Sequence, residues 1–174
     1  MYRETLIAHL PDIENWIRMK MNQHGTLAEP ISELGFKGLL SYYDNELLES
    51  TRVVYVDAVP FPPIQSLGLE QLNNMSSLNM AGITFDDMIF IHKRYKTESI
   101  HFHELVHTLQ WKVLGFQEFL LVYALSIVMY GYQKCPLETM AYSYQEKFDR
   151  HESLPNLVNE IEISTLKIRD SVLG

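Results

Sequence analysis

The stretch Ser99-Ile100-His101-Phe102-His103-Glu104-Leu105-Val106-His107-Thr108-Leu109-Gln110-Trp111-Lys112-Val113-Leu114-Gly115 decides how this chain is read. Ser99 can cap a helix, the pattern continues through Lys112, and Gly115 supplies the left-handed stop that glycine tolerates. Within it stands His103-Glu104-Leu105-Val106-His107. A helix turns once per 3.6 residues, so both imidazoles lie on one face and can close on a single Zn²⁺ at about 2.0–2.1 Å each. Glu104 is rotated by roughly 100° from His103. It flanks the metal position without having to bind it, where a carboxylate can accept a proton from metal-activated water. Leu105, Val106 and Leu109 point elsewhere and fasten the helix into a core. Two core histidines satisfied by hydrogen bonds would give the same letters. The cap, the glycine stop and a hairpin upstream favour the metal.

A catalytic zinc site takes three protein ligands and keeps one position open. A third histidine six residues after His107 is excluded, because that position is Val113, and the glycine expected at 110 is Gln110. A glutamate from a later helix remains. Glu138 fits best: Pro136-Leu137-Glu138-Thr139-Met140-Ala141-Tyr142 opens a helix, and small Ala141 lets it lie close to a neighbour. An apolar helix over 116–132 would return the chain antiparallel to the first. Glu118, Glu146, Asp149 and His151 remain rival ligands. His101, two residues before His103, points away from the ligand face; His92 ends a strand; Cys135 reads as a buried small hydrophobe. A hydrolytic centre also needs a donor for the developing oxyanion. Tyr142, one turn after Glu138, is the candidate, in competition with Tyr123, Tyr130, Tyr132 and Tyr144.

Outward from this segment, Gly82-Ile83-Thr84-Phe85 and Met88-Ile89-Phe90-Ile91-His92 flank Asp86-Asp87 and predict a hairpin. Arg52 to Val59 is rich in valine and reads as a strand stopped by Pro60-Phe61-Pro62-Pro63. Helices are expected over Pro11 to Gln23, from Pro30 through Leu34, over 116–132, from Pro136 to Arg150, and after Pro155. Leu67 to Leu78 offers a helical turn or two, with Asn73 to Asn79 as a surface loop. Helices and about three strands that are segregated along the chain predict an α+β fold, mostly helical, with a small antiparallel or mixed sheet beside the H-E-x-x-H helix.

The 174 residues suit a single domain, 1–174, with no repeat or composition break. At 47% hydrophobic and 21% charged residues the composition is globular, which excludes a disordered tail or a disulfide miniprotein. A net charge of -8 repels phosphate, so nucleic acid is not an expected partner. One cysteine and no signal-like N-terminal pattern lead to a cytoplasmic expectation. Phe119 to Gln133 carries no charge, yet it is shorter than the about 20 residues that a membrane span needs and holds three tyrosines. A buried core helix is the reading, with no membrane span.

The motif together with Glu138 resembles zincins of the gluzincin type, in which H-E-x-x-H is followed by a helix bearing glutamate in an E-x-x-A or similar pattern. Gly82 to His92, His103 to Trp111 and Pro136 to Tyr142 are also similar to small bacterial metallopeptidases. The resemblance covers roughly residues 52–145. It implies His103, His107 and Glu138 as zinc ligands and Glu104 as general base. It also implies that a hairpin strand lies along the cleft, where an extended peptide or protein substrate can pair with it. A zinc-dependent hydrolase, a metallopeptidase, is the expectation that follows. The chain departs from large gluzincins in lacking a substantial C-terminal helical domain and in having Leu137 where asparagine usually precedes the ligand glutamate. The competing expectation is a non-catalytic zinc-binding or interaction domain that keeps the scaffold.

Overall fold

The computed structural model describes residues 2–64, 69, 72 and 80–174. The helical turns and loop expected between Leu67 and Leu78 lie outside the described residues, apart from Leu69 and Leu72. The fold is mixed α+β and mostly helical. Its helices are α1 (Tyr2–His24), α2 (Asn45–Ser50), α3 (Glu98–Leu114), α4 (Phe116–Tyr130), α5 (Pro136–Asp149) and α6 (Leu157–Leu173). Its strands are β1 (Glu29–Pro30), β2 (Arg52–Val56), β3 (Gly82–Phe85) and β4 (Met88–His92).

The sheet order is β1-β2-β4-β3. β3 and β4 form the expected hairpin, with Ile83 opposite Phe90 and Asp86 taking φ 56° in the turn. β2 runs parallel to β4 with Val54 opposite Phe90, and β1 is antiparallel to β2. Alternation along the strands sends side chains to two cores. Val54, Phe85, Met88 and Phe90 join Leu6, Leu10, Ile13 and Ile17 of α1 and the buried residues of α4. Val53, Ile89 and Ile91 join Phe102, Leu105 and Val106 of α3 together with residues of α5 and α6. The sheet is the partition between these cores, and β3 is its edge nearest to α3.

Several boundaries differ from the sequence reading. α1 starts at Tyr2 and runs through Pro11, the expected start. Leu6, Leu10, Ile13 and Ile17 form one continuous buried stripe, and burial at about 1.5–3 kcal/mol per large aliphatic side chain outweighs the about 3 kcal/mol cost of an internal proline. Pro30 closes a two-residue edge strand and precedes a 3₁₀ turn, Ile31–Leu34, instead of opening an α-helix. This fourth strand exceeds the expected three. β2 ends at Val56, beyond which exposed Asp57 pairs with Lys93 at 2.8 Å. The cap of α3 is Thr97, not Ser99: its hydroxyl accepts from the Ile100 N–H at 3.3 Å. α4 stops at Tyr130 because Gly131 adopts φ 76°.

Gly115, at φ 73°, joins α3 to α4 through a bend of 118°. No single helix among the described residues is long and apolar enough to cross a membrane. Phe119, Val122 and Ala124 of α4 are buried, and its exposed large apolar residues, Val128, Met129 and Tyr130, are confined to its end.

Candidate metal centre

His103 and His107 lie on one face of α3, with their Nε2 atoms 3.1 Å apart. α5 packs across α3 at Ala141, which is fully buried, and brings Glu138 to both rings. Its carboxylate oxygens lie 3.7 Å from His103 Nε2 and 3.5 Å from His107 Nε2. All three side chains are buried. Two ligand bonds of about 2.0–2.1 Å arranged tetrahedrally about one ion separate the donor atoms by about 3.3 Å, so these spacings match a shared cation.

The hydrogen bonds behind the rings decide which nitrogens face the centre. Gln110 donates its Nε2–H to the carbonyl of Leu137 at 3.1 Å, so its Oε1, 2.8 Å from His107 Nδ1, must be the acceptor there. Gln145 donates to Ser99 Oγ at 2.9 Å and turns its Oε1 to His103 Nδ1 at 3.0 Å. Both Nδ1 atoms therefore carry protons, and in the neutral rings both Nε2 lone pairs point inward. Two lone pairs at this separation, beside a carboxylate and away from water, repel unless a cation lies among them. A metal ion satisfies all three donors; in the metal-free protein a proton substitutes.

The electrostatics agree. Burial opposes charging His107, yet the adjacent Glu138 carboxylate, with help from Glu104, lifts its pKa to about 9. Burial likewise works against ionised Glu138, but His107 and His103 hold it well below the usual carboxylate range. Tyr123 donates to Glu138 Oε1 at 2.6 Å and Tyr132 to Oε2 at 3.3 Å. Burial and the Glu138 charge push both phenols upward, so they remain donors.

Glu104, 4% exposed, sits beside the centre without joining the three converging side chains. Thr84 Oγ1 on β3 donates to its Oε2 at 2.7 Å. Its Oε1 lies over Gly82, where an added Cβ would approach within 2.7 Å. β3 is in turn held by Trp111, whose indole N–H donates to the Thr84 carbonyl at 3.0 Å. Tyr142 is half-exposed at the mouth, its ring 4.5 Å from that of His103 and its hydroxyl 3.4 Å from that of Tyr132.

The rival ligands are elsewhere. Glu118 faces Arg169 at 3.9 Å, Glu146 pairs with Arg150, and Asp149 and His151 are exposed. His101 is turned to Tyr55 and the Thr97 carbonyl, His92 accepts from the Arg94 N–H, and Cys135 is buried. Among the competing tyrosines, Tyr123 is committed to Glu138 and Tyr144 to Glu160. Gln110, Gln145 and Thr84 escaped the sequence reading, since nothing in their spacing marks polar residues that act by bracing others.

A cavity of about 440 Å³ opens from the centre and wraps around the edge strand β3 into the core between the sheet, α1 and α4. No family model, curated protein or solved structure matches the chain.

Proposed function

We propose that this protein is a zinc-dependent hydrolase of the zincin kind that acts on peptide bonds. The observation that carries the reading is the convergence of His103 Nε2, His107 Nε2 and the Glu138 carboxylate at 3.1–3.7 Å, with both imidazoles aimed by glutamine amides. His103, His107 and Glu138 would hold the ion. When bound, zinc supplies Lewis acidity, which polarises a carbonyl and acidifies water towards a pKa of about 7.

The remaining work falls to the protein. Glu104 is the general base: Thr84 fixes one of its oxygens and the absence of a side chain at Gly82 leaves room for the other. It takes a proton from water and passes it to the departing amine. Tyr142, at the mouth and against the His103 ring, donates to the oxyanion. The edge of β3 offers main-chain groups with which an extended substrate can pair.

Replacing Glu104 by Gln tests the reading. Stoichiometric zinc in both proteins, with peptide cleavage lost only in the variant, is the expected result. A parent protein purified without zinc, or a variant that cleaves as fast as the parent, overturns it. Zinc retained with no cleavage by either protein assigns the centre to a non-catalytic role.

A further inference from the structure

The cavity beside the centre is larger and drier than attack on a carbonyl requires. It takes Leu6, Ile13 and Ile17 from α1 and Phe119, Leu120 and Ala124 from α4, residues of the main hydrophobic core. No lysine, arginine or aspartate lines it among the described residues, and its charged groups are those of the centre at one end. Its volume of about 440 Å³ lies within the range of small-molecule sites, about 300–1,000 Å³. A fold that needed only stability would fill such a void, because unfilled core volume is destabilising.

We propose that this cavity is the substrate-recognition site, and that it takes a large, uncharged apolar group attached to the amide whose carbonyl lies at the metal centre. The substrate class is thus an amide with a bulky lipophilic arm, either an acyl chain or an apolar peptide side chain. This rests on the hydrolase reading for the amide, but occupancy of the cavity does not depend on turnover. With no lysine or arginine among the described lining residues, an anionic arm is disfavoured, since a buried unpaired carboxylate is costly.

Trp111 lines the cavity and reports its occupancy by fluorescence, with Trp111→Phe as the control that loses the signal. The zinc-loaded full chain carrying Glu104→Gln, which leaves probes intact, is titrated with N-acyl glycinamides from acetyl through hexanoyl to decanoyl. A second arm uses acetyl-alanine, acetyl-leucine and acetyl-phenylalanine amides. Affinity should rise about fourfold per added methylene until the cavity is full, and a terminal carboxylate on the decanoyl arm should cost at least a hundredfold. Ala124→Phe should truncate the series at a shorter chain; Leu120→Phe gives the same readout should the first variant fail to fold. Dependence confined to the acyl arm identifies acyl amides, and dependence confined to the amino-acid arm identifies apolar side chains. Equal binding of acetyl and decanoyl probes, or an unchanged series in a folded blocking variant, overturns the proposal. Peptide cleavage without any such dependence removes the cavity's role alone; the dependence without cleavage removes the hydrolase alone.

Discussion

Gly82 and Gln110 are not among the three converging side chains, yet each touches a group at the centre: Gly82 lies against Glu104, and Gln110 accepts from His107. A methyl group at Gly82 would meet Glu104 Oε1 at 2.7 Å, inside any tolerable contact. Gly82→Ala should therefore displace Glu104; on the proposed hydrolase reading it lowers kcat by about a hundredfold or more, the scale of general-base catalysis, with zinc content unchanged by metal analysis. Gln110→Leu removes the acceptor for His107 Nδ1–H and should weaken zinc about 10–100-fold in competition against a chelating dye. At this scale the convergence of His103, His107 and Glu138 was legible, because two histidines four apart in a helix must share a face and Glu138 opens the helix after the return. The braces were not. Gln110 stands where a histidine-ligand family would have glycine, and its amide matters only because the Leu137 carbonyl, 27 positions away in sequence, fixes its orientation.

Between elements, the centre stitches α3 to α5. Without an ion, one imidazole proton is the positive charge that faces the buried Glu138 carboxylate across the contact between α3 and α5; a bound cation would tie all three side chains together. At zinc a thousandfold above its Kd, binding adds about 4 kcal/mol to stability. For a chain of this length that is a Tm higher by about 10 °C, measurable by melting with zinc and with a chelator; coincident curves would exclude a structural grip by the metal. The elements themselves were largely legible where an apolar period met a strong stop, as at Gly115 and Pro136. Pro11 misled because local propensity argued for a boundary while the stripe Leu6, Leu10, Ile13, Ile17 argued for continuation, and burial decided. β1 was illegible: two residues, one a proline, carry no alternation.

Across the whole molecule, the buried charges would make the response of stability to pH depend on whether the centre holds an ion. In the metal-free protein His107, raised from 6.5 to about 9, contributes stability that is complete below about pH 6.5 and is lost as pH climbs through 9. Glu138, lowered from 4.5, contributes stability that is present above about pH 4.5 and fades in acid. Metal-free Tm should thus fall between pH 6.5 and 9. With zinc bound the folded ligands carry no such proton, so Tm should rise only up to the ordinary histidine value near 6.5 and stay level from there to about 9. Parallel slopes in the two melting series would contradict the shared site. The sheet order belongs to this scale as well. Nothing in the strands' own letters announces that β2 lies parallel to β4 with β3 outside, since the pairing is set by which faces the two cores must cover.

The 118° turn at Gly115 separates the two imidazoles from the glutamate by an entire helix that packs against α1. A ribosome releases the histidine pair well before it releases Glu138. During that interval the nascent chain would offer an ion only a loose, two-pronged hold, until the helix that carries Glu138 has docked. Any choice among metals that uses all three groups would consequently wait for synthesis of the segment beginning at Pro136.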